Sequence, residues 1–525
     1  MKTFLGAVGH LVLGVLSGFD RLVFRGHLRQ LSYAHGMECY LSANRVLLKD
    51  FKAHARERTA VLLDASLAEA KRVQRPVIYL NSSSRSKEDQ ARALAQRDQI
   101  RDGLIGVFKC VEPCWTFEVH RDRQRKLLEL RGKTGKCAFL YHYYLHPTFG
   151  LMHARIQTWF PFAMQIYVNG REWLGRQLDQ AGLQYVRHDN KFTDVEDFAK
   201  AQALLDQQLQ TPWPQTLEQI VRTIHPAHPQ LLGQMPIPYY WSVYQSEWAT
   251  DVVFHTRADA QRLFEQWARH ALTTYRSSDI MRFLGRTVPA HGGVHAHFEG
   301  ECVSTLRRRE EGLCIKHWVN GNSIKAYDCD RNVRFETTIN QAEEFRVFRP
   351  KEGGPEDDKA WRIMRRGVAD LHRRAEVSQA ANQRYAAATV AVQEATPLKD
   401  VAEPLCRRVA EPGRSSHRKA RGLNPLAADD AALLEAVNDP KHAVNGLRNR
   451  DLTAVLYAKP APTTQEARRR SARVSRLLRL LRAHGILQKV PKTHRYLVSL
   501  EGRKVVTALL AARNANTEFL TRNTA

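Results

Sequence analysis

Residues 473–503 read RVSRLLRLLRAHGILQKVPKTHRYLVSLEGR. At about 100° per residue, Val474, Leu477, Leu478 and Leu481 gather on one face of a helix, and Arg469, Arg473, Arg476 and Arg479 gather roughly opposite. One face packs and the other is a row of guanidinium groups. The spacing predicts a helix from Thr464 to His484, ended by Gly485. Leu487 to Val490 then reads as a strand, Pro491 to His494 as a turn, and Arg495 to Ser499 as the returning strand. A last helix runs from Glu501 to about Ala512. Working back, Asp429 and Asp430 start a helix that runs through Val437. Leu447 to Leu452 opens a second, ending near Tyr457, and Pro460 and Pro462 mark a connection.

Helix, helix, helix, two-stranded wing, helix is the order of a winged helix-turn-helix. The 473–503 stretch resembles the recognition-helix-to-wing segment of MarR-like winged-helix regulators, in which a helix ending L-x-x-x-G-[LI]-[IL] leads to a wing closing on Y-x-[VL]-[ST]-x-x-G. The resemblance covers residues 430 to 515 and implies DNA binding through the third helix and the wing. Arg469, Arg473, Arg476 and Arg479 would then donate to guanine edges or flanking phosphates, with Lys489, Lys492 and Arg495 of the wing on the neighbouring backbone.

The charge supports a polyanionic partner. The 525 residues carry a net charge of +26, and between Leu405 and Arg513 there are 23 Lys and Arg against 8 Asp and Glu. More than half of the excess thus sits in about a fifth of the chain, and clustering of this kind separates a binding surface from an ordinary solvated face. With 43% hydrophobic residues, wholesale disorder is excluded. Eight scattered cysteines do not make a disulfide scaffold and point to a reducing, cytoplasmic setting. The apolar run Thr3 to Phe19 lacks a small-x-small cleavage pattern and flows into Asp20-Arg21, so it reads as buried strand or helix, with no membrane partner.

Upstream, apolar runs alternate with amphipathic stretches. Val77 to Leu80, Phe139 to Leu145 and Ile156 to Val168 read as strands, and Glu88 to Ile105 and Val195 to Leu209 as helices. Leu313 to Val319, Ser323 to Asp328 and Val333 to Ile339 form an expected β-meander. Pro350 to Asp358 is a composition break. Trp361, Met364, Val368 and Leu371 then open a long helix to about Glu394, and a basic linker occupies 404 to 427.

Several groups could carry chemistry. His295-Ala296-His297 is an HUH arrangement of the kind rolling-circle initiators and related transposases use, with a third ligand, to hold a divalent metal for attack by a tyrosine. The residues from Val319 to Asp328, with Val333 to Glu336, resemble the S-x-K-x-Y-D-K … R-x-E strands of phage and plasmid replication initiation proteins, with Cys329 in place of the second Lys. Tyr327 and Tyr385 are the candidate nucleophiles. Cys110, Cys114, Cys137 and His142 offer soft zinc ligands at an infrequent spacing and read more simply as buried thiols. Asp20, Glu118 and Asp122 are acids near β-like runs, of the kind a two-metal nuclease would gather, and read chiefly as salt-bridge partners of the abundant arginines. Tyr141 to Tyr144 and Trp159 to Phe162 interleave aromatics with Arg131, Lys133, Lys136, His153 and Arg155, the composition of either a core strand pair or a base-stacking surface.

The expectation is an α+β, multi-domain protein: an α+β region over 1–349, a linker with a long helix and basic segment over 350–427, and a winged helix-turn-helix over 428–515. Its expected function is DNA binding, as a transcriptional regulator or mobile-element protein. The alternatives are a metal-dependent replication initiator or nuclease, and an RNA-binding protein. Nothing in the sequence fixes an oligomeric state.

Overall fold

The computed structural model describes residues 1–515 except 83, 85, 226–227, 287–301, 310–311, 352–353, 356, 391–397, 411–418, 440–441, 443–445 and 492. The protein is α+β and divides into two compact units. One comprises Met1–Gly14, Val252–Thr337 and Ala380–Ala525, and the other Val15–Asp251 and Thr338–Gln379. Among the described residues no helix is long and apolar enough to cross a membrane.

Along the chain, the helix α1 (Lys2–Val8) precedes the long strand β1 (Val12–His27). Helices α2 (Ala34–Ala43) and α3 (Phe51–Arg72) lead to β2 (Val77–Tyr79), α4 (Lys87–Arg97), and the strands β3 (Gly103–Asp122), β4 (Leu127–His146), β5 (Gly150–Gln157) and β6 (Met164–Asn169). After α5 (Gly170–Ala181) come the hairpin β7 (Tyr185–His188) and β8 (Lys191–Val195), then α6 (Phe198–Asp206), α7 (Trp213–Ile224), α8 (His228–Leu232) and β9 (Tyr240–Phe254). Within the second unit the strands lie in the order β9-β1-β6-β5-β4-β3-β2, with the pairs from β1 through β3 antiparallel and β2–β3 parallel. Alternation decides which face is buried: Leu22 and Phe24 point to a core with Met164, Ile166, Met152 and Ala154. The helices α3, α5 and α7 supply Leu62, Leu174 and Leu217 to the same core. The carboxamide of Asn169 accepts from the Arg171 and Glu172 amides and so starts α5, which Gly182 ends at φ +68°.

In the first unit α9 (Arg257–Thr274) and α10 (Ser277–Phe283) are followed by β10 (Val303–Arg309), β11 (Gly312–Val319), β12 (Asn322–Cys329) and β13 (Asn332–Ile339). The order there is β10-β11-β12-β13-β9. The expected meander is present, and Val319 pairs with Asn322 across a two-residue turn. Asn320 and Gly321 both have positive φ there, the combination that matches the twist of a tight hairpin.

Several expected elements fall elsewhere. Ile156 to Val168 is not one strand, because β5 and β6 are separated by the turn at Trp159 to Phe162. The composition break at 350–358 falls between β14 (Arg346–Pro350) and β15 (Lys359–Ile363), which pair with each other inside the second unit. Trp361 therefore lies on a strand, and the long helix begins only at Leu371, as α11 (Leu371–Thr389). The described residues of the basic stretch after Pro404 also belong to elements or pack on them. The helix α12 (Leu398–Cys406) and the pair β16 (Val409–Ala410) and β17 (Lys419–Ala420) occupy it, and the Leu423 amide donates to the Leu405 carbonyl at 2.8 Å.

Candidate nucleic-acid interface

The last part of the first unit contains α13 (Ala428–Asn438), α14 (Asn449–Leu456), α15 (Thr464–Ala483), the hairpin β18 (Leu487–Lys489) and β19 (Tyr496–Val498), and α16 (Leu500–Asn514). These elements share a hydrophobic cluster of their own. Val474, Leu478 and Leu481 of α15 pack with Leu433, Leu434 and Val437 of α13, Leu452 of α14, Ile486, Leu487, and Val506 and Leu509 of α16. Leu405 and Leu423 belong to it as well.

Each end of α15 is specified locally. The Thr463 hydroxyl accepts from the Glu466 amide, and Gly485 takes φ +71° after the last turn. The Ser499 hydroxyl donates to the Gly485 carbonyl at 2.6 Å and caps α16 by accepting from the Gly502 amide. Asn449 clamps α14 to α15, its amide donating to the Ser471 carbonyl and the Ser475 hydroxyl, both at 2.9 Å. Leu447 and Tyr496 exchange both backbone hydrogen bonds, so Leu447 extends the β18–β19 pair by a bridge. Gly446 permits this approach: its φ is +64°, and a Cβ there would sit 2.5 Å from the Tyr496 carbonyl oxygen.

The arginines divide by their partners. Arg469, Arg473, Arg476 and Arg479 are all exposed. Arg469 leans on Glu466 at 3.9 Å and Arg473 on Asp429 at 3.8 Å. Arg476 and Arg479 have no carboxylate within ion-pair distance among the described residues, and neither has exposed Lys489 on β18. Arg495 is half-buried, its amide donating to the Thr493 hydroxyl, and Lys492 lies outside the described residues. Arg470 instead serves the fold, donating to Glu466 and to the Lys459 carbonyl while covering the Tyr457 ring at 4.8 Å. Arg421 grips Asp430 through two bonds of 2.6 and 2.7 Å, which holds that carboxyl below the usual range.

The catalytic candidates fare differently. His295 and His297 lie outside the described residues. Tyr385 is fully buried, with its hydroxyl on His317, and burial raises its pKa. Tyr327 is half-buried beside Lys325, whose ammonium lies 5.7 Å from its ring centre, and burial raises its pKa too. Lys325 on β12 is paired with Glu336 on β13, so the residues of the expected replication-protein motif do converge on two adjacent strands. No three of Cys110, Cys114, Cys137 and His142 come within ligand distance of one another. Glu118 pairs with Lys133 at 2.6 Å, and Asp122 accepts from two amides of the β3–β4 turn. Tyr141, Tyr143, Phe160 and Phe162 are core residues and offer no stacking surface.

One feature of the second unit was not anticipated. Asp20 on β1 and Glu247 on β9, both buried, place carboxylate oxygens within 4.8 Å of each other. Arg171 stands 3.7 Å from Asp20 and 2.8 Å from Asp251, and Arg21 stands 3.8 Å from Glu247. Asp20 directly after the apolar run Thr3 to Phe19 was the available signal, and its partner 227 positions on was not visible in the sequence. No protein-family model, curated protein or solved structure matches the chain.

Proposed function

We propose that the protein binds duplex DNA through α15 and the β18–β19 hairpin, as a transcriptional regulator or a mobile-element protein. The observation that carries this reading is the exposed arginine row on α15, in which Arg476 and Arg479 have no carboxylate partner among the described residues while Val474, Leu478 and Leu481 anchor the opposite face. A helix of this kind fits the major groove, where Arg donates to guanine, and Lys489 on the adjoining hairpin is suited to phosphate. The test is binding of the full chain to a labelled random-sequence duplex across salt concentrations. Phosphate-led binding weakens by about 0.9 log units per log unit of salt for each phosphate neutralised. A chain that binds no duplex at low salt would remove the proposal.

A further inference from the structure

The outer face of the second unit's sheet carries cations and aromatic rings together. Tyr240, Ser242 and Tyr244 alternate outward along β9 while Trp241 and Val243 point into the core. Beside them, Arg25 is on β1 and Arg29 is on the short helical turn that follows it. The Arg29 guanidinium lies over the Tyr240 ring at 3.5 Å and that of Arg25 over Tyr244 at 6.0 Å. Tyr240 and Tyr244 nonetheless remain 41% and 44% exposed. Two large rings thus stay open on one face of one strand, each under a guanidinium.

The electrostatics call for an anion. Neither Arg25 nor Arg29 has a carboxylate within ion-pair distance among the described residues. Burial together with the neighbouring Arg155 and Arg366 makes the charge on Arg25 harder to hold, and burial with Arg25 and Arg29 pushes His27 down to about 4. Two guanidinium groups without a carboxylate partner among the described residues, set beside exposed rings, match a polymer that is itself anionic and aromatic. In a duplex the base faces are stacked away, so the rings can be used only by a single strand.

We propose that this face binds single-stranded DNA, with bases stacked on Tyr240 and Tyr244 and backbone phosphates drawn to Arg25 and Arg29. The choice of DNA over RNA rests on the duplex-DNA reading of α15; the single-strand chemistry rests on the face alone. The rings are about 13 Å apart along β9, so one strand touches both only by running along it.

The experiment uses the full chain and fluorescence anisotropy with labelled dT20, rU20 and a 20-base-pair duplex. Tyr240→Ala with Tyr244→Ala should weaken dT20 binding about tenfold or more and leave duplex binding unchanged. Tyr240→Phe with Tyr244→Phe should bind dT20 like the unaltered chain, because the ring and not the hydroxyl does the stacking. Arg29→Ala should weaken dT20 binding and flatten its salt dependence. Arg476→Ala with Arg479→Ala should do the reverse, losing duplex and keeping dT20. The proposal is overturned if the unaltered chain does not bind dT20, if the alanine pair binds it normally, if the phenylalanine pair loses it equally, or if rU20 binds more tightly. A chain that binds no duplex but holds dT20 through the two tyrosines would defeat the α15 reading and uphold this one.

Discussion

The hydroxyl of Tyr385 on α11 lies 2.9 Å from Nε2 of His317 on β11, and Nδ1 of the same imidazole lies 2.8 Å from the Ser304 hydroxyl on β10. The ring of Tyr385 also meets Phe283, Phe335 and Tyr275. Burial pushes His317 down to about 4, so the imidazole is neutral and uses both nitrogens as hydrogen-bonding groups. This chain fastens a helix to two strands of the first unit. Tyr385→Phe leaves a buried imidazole nitrogen unpaired and should cost about 1–2 kcal/mol, read as a lower urea midpoint. Duplex affinity should not change. A variant of full stability would show that water replaces the hydroxyl.

The hydrophobic cluster around α15 sets the size of the piece that folds with it. Leu405 and Leu423 are buried in that cluster, and Arg421 makes a bidentate pair with Asp430. A fragment of residues 398–515 should therefore unfold at a higher urea concentration than one of 428–515, by about 2–4 kcal/mol for the two leucines. Equal midpoints for the two fragments would show that α12 and the β16–β17 pair lie on the cluster without stabilising it.

What was legible in the sequence was local. The 3.6-residue period of Val474, Leu478 and Leu481 and the glycine at 485 each act over a few residues and formed as read, and the turn expected at Asn320 to Asn322 formed one residue shorter, with Asn322 on β12. Reading failed where long-range pairing chose the structure. Trp361, Met364, Val368 and Leu371 have helical spacing, yet Trp361 is taken into β15 because Phe348 on β14 lies across from it, with ring centres 5.9 Å apart. The basic residues of 404–427 suggested a solvated linker, but two leucines among them suffice to tie the segment to a core. Tyr240 and Tyr244 were overlooked for a related reason. Their alternation signals one face of a strand, and only the neighbouring β1 shows that this face is open and cationic.

Buried histidines make the second unit sensitive to acid. Burial pushes His142 to about 4 and His225 to about 3, from a starting value of 6.5, and neither ring nitrogen of either residue has a hydrogen-bond partner among the described residues. Both pKa values are depressed in the folded state, so the unfolded chain takes up these protons first. Their contribution is fully present above pH 6.5 and is lost as the pH falls from there toward 4. Each histidine gives a slope of about 1.4 kcal/mol per pH unit in that window. Urea unfolding followed by tryptophan fluorescence at pH 7, 6 and 5 should show the steep loss, and His142→Leu should reduce the slope by about one proton. An unaltered slope in that variant would refute the assignment.

If α15 binds DNA as proposed, Arg476 and Lys489 should separate reading from holding. Arg476 is at the centre of the exposed face of α15, directly away from Val474 and Leu481, whereas Lys489 is exposed on β18, beyond the end of that helix. A guanidinium at the centre of a groove-facing helix donates two bonds to a guanine, which no other base pair accepts in the same geometry. An ammonium on a flexible stem meets phosphate, which every sequence offers alike. Arg476→Ala should thus cost about 1–3 kcal/mol on a selected site and far less on random DNA, while Lys489→Ala should weaken both equally and lower the salt slope by about one. Both variants alter exposed side chains that have no ion-pair partner among the described residues, so matched unfolding midpoints can confirm that the losses arise in binding. If the two variants lose the same affinity on selected and random duplexes, α15 holds DNA by charge alone, and a role in choosing a target site must pass to another part of the chain.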